Sequence, residues 1–406
     1  MTGTLRTGCC IAGGGPAGMM LGLLLARAGI DVAVLEKHAD FLRDFRGDTI
    51  HPSTMEVMAR LGLLEAFLAL PHQKVPRLGG LIGGQWVELA EFSHLPVAAP
   101  FVAMMPQWDF LDFLAAEAGK HPNFRLLMQT RARTLLTADG RVTGLLAEGP
   151  DGPVRVEAGL TVAADGRGSE LREASGLPLA DHGSPIDVLW FRLPRATADT
   201  DRTQARIEAG RIMILLYRGD YWQCAFVVPK DGFAAVRADG IERFRATIGA
   251  LLPFDADRAS AIAGWEDVKL LSVQVNRLAR WWRPGFLCIG DAAHAMSPVG
   301  GGGVNLAVAD AVAAANILAR PLREGVPGDA ALAAVQARRE RPTRLIQRFQ
   351  IIAQNRILKP TLARQSALKP PLPLRIASRI PLARRALGRL IGLGPRPEVP
   401  DPSIFG

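Results

Sequence analysis

"CCIAGGGPAGMMLGLLLARAGIDVAVLE", residues 9–36, decides how the rest of the chain is read. No charged residue occurs from Thr7 to Ala26, a run long enough to raise a signal peptide or a membrane span. The interior Gly-Gly-Gly-Pro-Ala-Gly breaks such a span, and a second apolar run ending in Glu36 follows at once. A buried strand over 8–12, a tight turn, an apolar helix over 16–29 and a second strand over 30–36 fit better. In that setting Gly13, Gly15 and Gly18 satisfy the spacing G-x-G-x-x-G. Glycines there allow a tight turn, close approach of the backbone to a pyrophosphate and close packing of the helix, whose N-terminus faces the negative charge. Glu36, 18 residues past Gly18, stands where an acid can accept hydrogen bonds from a ribose.

The chain has 406 residues, 49% apolar and 21% charged, enough for a large core and for two domains that could interleave. Its four cysteines, at 9, 10, 224 and 288, have neither metal-ligand nor disulfide-framework spacing, and small buried hydrophobes in a reducing cytoplasm are expected. The net charge of +9 equals the nine Lys and Arg between Lys359 and Arg396, where no acid occurs, so the remainder sums to zero. A global nucleic-acid footprint is thereby excluded. No internal repeat is evident.

Along the chain, Ser53 and Glu56 have capping-box spacing at the start of a helix continuing through Leu61 and Leu64, with His51 just before it as a ligand contact or a locally bonded loop residue. Residues 101–118 suggest a strand, a turn at Pro106 and a helix; 154–177 give strands ending at Asp165-Gly166 and a helix after Ser169. From 183 to 280 the texture is β. Two strands joined at Gly219-Asp220 bring Tyr217 and Tyr221 together, and "VKLLSVQVNRLARWW" is one further strand. Such a sheet, inserted in a nucleotide-binding fold, could wall a substrate site.

"GDAAHAMSPVGGGGVN", residues 290–305, follows an apolar strand and precedes a long apolar helix. Four glycines in a row ask for a reason, and close approach of the main chain to a ligand is one. Beyond Pro360, Pro370, Pro371 and Pro373, the segment 383–391 places Ala383, Ala386, Leu387, Leu390 and Ile391 on one helical face and Arg384, Arg385 and Arg389 on the other. That face could pack on the body or rest on an acidic membrane surface.

The N-terminal "GGGPAG" with Glu36, the central "AADGRGSELR" and "GDAAHAMSPVGGGGVN", in this order, resemble the FAD-dependent aromatic hydroxylases, the single-component flavin monooxygenases typified by p-hydroxybenzoate hydroxylase. The resemblance covers roughly residues 5–320. It implies an α/β fold: a Rossmann-like FAD-binding domain (1–75, 101–180 and 270–345), an interleaved antiparallel β-sheet substrate domain (76–100 and 181–269) and a helical, basic C-terminal tail (346–406).

It also implies roles. Gly13, Gly15 and Gly18 would hold the FAD pyrophosphate and Glu36 the adenosine ribose. Arg46, in "FRGD", would lie near the pyrophosphate and ribityl chain, where a guanidinium fork suits phosphate oxygens. Gln107 would contact the ribityl region, Asp165 both FAD and the reduced nicotinamide, and Asp291 a ribityl hydroxyl, while Arg172 completes the central motif. Gly301 and Gly303 would let the main chain lie against the isoalloxazine ring, and the helix beginning near Val304 and Asn305 would aim N–H groups at flavin N1 and O2. Pro298 is the candidate beside the reacting flavin edge; His51, Tyr217 and Tyr221 are substrate-side candidates. Gly302 departs from the family, which commonly has a larger residue there, often glutamine.

The implied reaction is hydroxylation of a phenolic or polyketide-like ring, with NADPH or NADH reducing FAD and O2 captured as a flavin C4a-hydroperoxide. No metal is called for. Other readings are a prenyl-chain reductase or halogenase on the same scaffold, or a flavin-binding module touching a membrane through residues 359–396. The W-x-W-x-I-P signature of flavin halogenases is missing: Trp281 and Trp282 are adjacent.

Overall fold

The computed structural model describes residues 4–42 and 49–405. Thr4–Ala12 enters the centre of an eight-stranded sheet, pairing in parallel with Val32–Leu35 on one side and Gly152–Ala163 on the other. Phe124–Leu127 and Phe286–Cys288 extend the parallel layer outward. The hairpin Arg131–Ala138 and Arg141–Gly149 adds antiparallel strands along the N-terminal half of Gly152–Ala163.

The helix Pro16–Arg27 is buried from Ala17 to Ala26, so its apolar residues have no polar face to oppose them. Pro16 at its first position costs nothing, since that N–H has no helical partner. Helix Gly303–Glu324 packs beside it. The stretch Val299–Glu324 is long and apolar enough to cross a membrane, and most of it is buried inside the protein.

A second, seven-stranded sheet runs in the order Lys269–Leu271, Ile186–Pro194, Tyr221–Pro229, Arg211–Tyr217, Gln204–Glu208, Arg77–Ile82, Gln85–Glu91. All its pairs are antiparallel except Gln204–Glu208 with Arg77–Ile82. Met213, Leu215, Cys224 and Phe226 face a core shared with helix Ile241–Gly249. The opposite face looks toward the first layer.

Three expectations are corrected. The helix after His51 starts at Pro52, which takes the first position and puts Ser53 inside; Glu56 is drawn to Arg60 Nε at 2.9 Å and the Ala98 N–H at 3.2 Å, and no capping box forms. "VKLLSVQVNRLARWW" is not one strand: Lys269–Leu271 pairs with Val188–Trp190, Asn276–Leu278 with Leu179–Asp181, and Trp282 opens a third short strand, Trp282–Arg283, on Phe286–Leu287. Helix Asp329–Ala353 runs through residue 346, where the tail was expected to begin, and continues in a π turn to Leu358.

Segment 383–391 lies in helix Pro381–Leu393, which packs on strand Gln85–Glu91. A Cβ on Gly388 would fall 1.9 Å from the Glu91 carbonyl oxygen, so only glycine allows this approach. The docked side carries Leu387, Gly388, Ile391 and Gly392, while Ala386 and Leu390 are exposed. Arg384, expected on the outer face, reaches Glu88 and Glu91 at 3.4 and 3.5 Å.

Candidate functional site

A cavity of about 780 Å³ lies between the two sheets. One half is built by the ends of the parallel strands, the other by the inner face of the second sheet.

The nucleotide-binding half starts at the turn after Thr4–Ala12. Gly13 has φ +107°, and a Cβ there would lie 2.3 Å from the Ala164 carbonyl; a Cβ on Gly18 would lie 1.9 Å from the Gly13 carbonyl. These two glycines close the turn on itself. Gly15 meets nothing within 4 Å, lines the cavity and begins the helix, whose first N–H groups lack helical partners. Glu36 is buried at the end of the next strand, its carboxylate accepting from the Gly14 N–H and the His38 N–H, each at 3.0 Å.

Asp165 follows Gly152–Ala163. Its Oδ1 is buried with no partner, while Oδ2 accepts weakly from Leu171 N–H at 3.5 Å. Burial raises its pKa against the opposing pull of the Ser169 hydroxyl. An orphaned acceptor beside an open cavity fits a hydroxyl-bearing ligand better than a finished core. Arg172 is turned away: its guanidinium donates to the Ala292 and Arg167 carbonyls at 3.2 and 2.8 Å, tying the central motif to the late one. Asp291 lines the cavity with Arg167 at 3.5 Å. Gln107 lines it from the first turn of its helix. Arg46 lies outside the described residues.

Between the halves, Pro298 lines the cavity, and its carbonyl accepts from the Gly301 N–H at 3.0 Å. That bond closes a turn in which Gly300 and Gly301 have φ of +81° and +63°. Thr49 Oγ1 holds the Gly301 carbonyl at 2.7 Å. The first bond of the following helix runs from Leu306 N–H to Gly302 O, leaving the N–H groups of Gly303, Val304 and Asn305 outside the ladder. Gly303 and Val304 line the cavity. The Asn305 side chain does not: its Oδ1 accepts from His51 N–H and Thr54 Oγ1 at 2.7 and 2.8 Å, and its Nδ2 donates to Thr49 O. It clamps the helix start to the His51 segment.

His51 borders the cavity and is 2% exposed. Its Nδ1 lies 2.8 Å from the Ile391 carbonyl, which fixes the proton on Nδ1 and leaves Nε2 as the acceptor. Burial lowers its pKa to about 4, only partly offset by that bond. Among the described residues it is the one titratable side chain in the substrate half of the lining.

Tyr217 and Tyr221 do not reach the cavity. Tyr217 packs edge-on to Trp222 with Arg195 over its ring, and Arg192 covers Tyr221. Strand alternation explains the miss: Ile212, Ile214 and Leu216 face the cavity, so Tyr217 points to the other core. Beside them on the same face of the sheet stand Ile186, Val188 and Ala225, and Trp190 and Gln204 also line the cavity. The sequence reading also missed Arg167, Thr49 and Leu358; Arg167, inside the quoted central motif, was the only one with a local signal.

Residues 6–349 match the family described as FAD binding domain. The chain belongs to this family. It is an FAD-dependent monooxygenase of the aromatic hydroxylase type, with NAD(P)H as the reductant typical of the group. It is 33% identical over 393 residues to a 6-methylpretetramide 4-monooxygenase from Streptomyces rimosus, covering 95% of this chain and 92% of the relative. It is 29% identical over 327 residues to a 12-dehydrotetracycline 5-monooxygenase/anhydrotetracycline 6-monooxygenase from Streptomyces rimosus subsp. rimosus, covering 76% of this flavoprotein and 61% of that longer relative. In fold it is similar to a probable FAD-dependent monooxygenase from Pseudomonas aeruginosa, with a TM-score of 0.73, 22% identity and coverage of 88% and 98%.

Proposed function

We infer that this monooxygenase hydroxylates a fused-ring, mostly apolar phenol of the polyketide kind. One observation carries the reading: a wall of aliphatic side chains, Ile186, Val188, Ile212, Ile214 and Leu216, lines the same cavity as the Pro298–Gly303 turn. A flat aromatic body gains from such a wall by burying its faces, and among the described residues the wall itself offers a small acid no cation. Similarity to enzymes named for pretetramide and tetracycline substrates supports it.

The residues around the cavity suit FAD, and each role follows from its chemistry. The turn Gly13–Gly18 would hold the pyrophosphate, Glu36 the adenosine ribose, and Gln107, Asp165 and Asp291 the ribityl hydroxyls. When bound, FAD supplies the hydride acceptance and O2 activation that no side chain provides. The N–H groups of Gly303 and Val304 would stabilise negative charge on the ring's pyrimidine edge. His51 Nε2, neutral at pH 7, would accept a hydrogen bond from the substrate's phenolic hydroxyl and so orient the ring. Pro298 would shape the contact between ring and substrate, and the aliphatic wall would keep water out. The buried, unpaired thiols suit a cytoplasmic setting.

Difference spectra of the flavin-loaded protein with single-ring and fused-ring phenols test the reading. Tighter binding of the fused-ring compounds is expected; equal or weaker binding would overturn the substrate class.

A further inference from the structure

Helix Leu372–Arg379 buries none of its residues. Its half-buried side, Leu374, Ala377 and Ser378, turns toward strand Gln85–Glu91 and the last helix, which fixes what faces outward. That outward stripe is Leu372, Ile376 and Ile380, spaced four apart and 64%, 52% and 45% exposed, with Leu382 beyond it at 77%. Arg375 and Arg379 flank the stripe and are exposed. The ion pairs of this region engage Arg384 and Arg385, leaving Arg375, Arg379 and Arg389 outside them.

An apolar row beside uncompensated arginines, in a stretch of nine cations and no acid, selects among occupants. A second copy meeting this face about a twofold axis would oppose cations to cations. A purely acidic partner would satisfy the arginines and leave the aliphatic row in water. A bilayer with anionic headgroups satisfies both: the row enters the boundary between headgroups and acyl chains while the arginines reach the phosphates. The geometry points to Leu372–Arg379 as a docking element for an anionic lipid surface.

The same stretch begins at Leu358 in the cavity wall, and the Thr361 carbonyl accepts from the Gly210 N–H at 3.0 Å. A docked tail therefore holds the apolar cavity near an apolar phase into which a fused-ring substrate partitions. Only this consequence rests on the substrate reading; docking itself does not.

Cosedimentation of the full, flavin-loaded chain with phosphatidylglycerol–phosphatidylcholine vesicles tests docking without any catalytic readout. Pelleting with the mixed vesicles, little with pure phosphatidylcholine, and release by salt are expected. Leu372→Ser with Ile376→Ser should weaken partitioning roughly tenfold at unchanged Tm and flavin absorbance, and Arg375→Gln with Arg379→Gln should reduce the preference for the anionic lipid roughly 30-fold. The proposal is overturned by absence of pelleting at low salt, by pelleting that both double variants retain, or by light scattering showing a dimer that Leu372→Ser with Ile376→Ser dissolves.

Discussion

The carbonyl of Ile391 lies 2.8 Å from Nδ1 of His51, a contact across 340 positions that sets the tautomer of the one ionisable group facing the substrate half among the described residues. The helix that ends near Ile391 lies beyond the residues matched by the family, so a segment peculiar to the C-terminal region orients a cavity residue.

Because burial lowers the His51 pKa to about 4, the group is neutral in the fold and protonated in the unfolded chain between there and its ordinary value of 6.5. Its contribution to stability is present above pH 6.5 and is lost as pH falls toward 4, on the order of 3 kcal/mol in all. His51→Gln should flatten this part of the Tm–pH curve. The same substitution should slow turnover of phenols at pH 7 by roughly 2- to 10-fold, the effect of losing one neutral hydrogen bond to the substrate.

The glycines of the first turn separate fold from cofactor binding. Gly15 has room for a side chain in the protein itself, whereas a Cβ on Gly18 would strike the Gly13 carbonyl. Gly15→Val should leave the Tm of the apoprotein unchanged and reduce FAD retention, and Asp291→Ala should act likewise. Gly18→Ala should lower the apoprotein Tm. Scanning calorimetry and bound-flavin absorbance distinguish the two outcomes.

A buried charge network braces the late motif from behind. Asp310 accepts from His294 Nε2 at 2.6 Å, Arg339 Nε at 2.9 Å and the Gly290 N–H at 3.1 Å, and Arg339 reaches Glu398 at 3.3 Å. Burial opposes ionisation of Asp310, but His294 and Arg339 outweigh it and hold its carboxyl below the usual range. Asp310→Ala would leave His294 Nε2 and the Gly290 N–H without their partner and Arg339 with Glu398 alone, and should cost about 3–5 kcal/mol in denaturant unfolding. Glu398→Ala should also destabilise, by less, since Arg339 keeps Asp310.

Gly302 has φ −82° and no atom within 4 Å of its would-be Cβ, so nothing in the backbone requires glycine there. Gly302→Gln should leave the apoprotein Tm within roughly 1–2 °C, as for a surface substitution. It should leave the visible flavin spectrum unchanged, because Gly302 lines the neighbouring pocket with Asn305 and Leu306 and not the cavity assigned to FAD. A shifted spectrum would show that the side chain reaches the flavin.

Much of the fold was legible in the first 36 residues and in Gly219-Asp220, because strand–turn–helix and hairpin signals are local. The cavity wall was not. Ile212–Leu216 is apolar at every position, since the sheet is covered on both faces, and alternation of polarity therefore gave no hint that Tyr217 points away from the cavity. The packing face of Pro381–Leu393 was rotated for a different reason: a hydrophobicity pattern gives glycine little weight, yet Gly388 and Gly392 set the closest approach. The Asp310–Arg339–Glu398 network joins residues 29 and 59 positions apart, and no local pattern could pair them.

The most direct measurement is single-turnover oxidation of the flavin-loaded protein in ¹⁸O2 after anaerobic reduction with NADPH or NADH, with a fused-ring phenol present. The account predicts that the phenol accelerates reduction and that the product gains one ¹⁸O atom. Failure of both nucleotides to reduce the flavin, or product without the label, would contradict it.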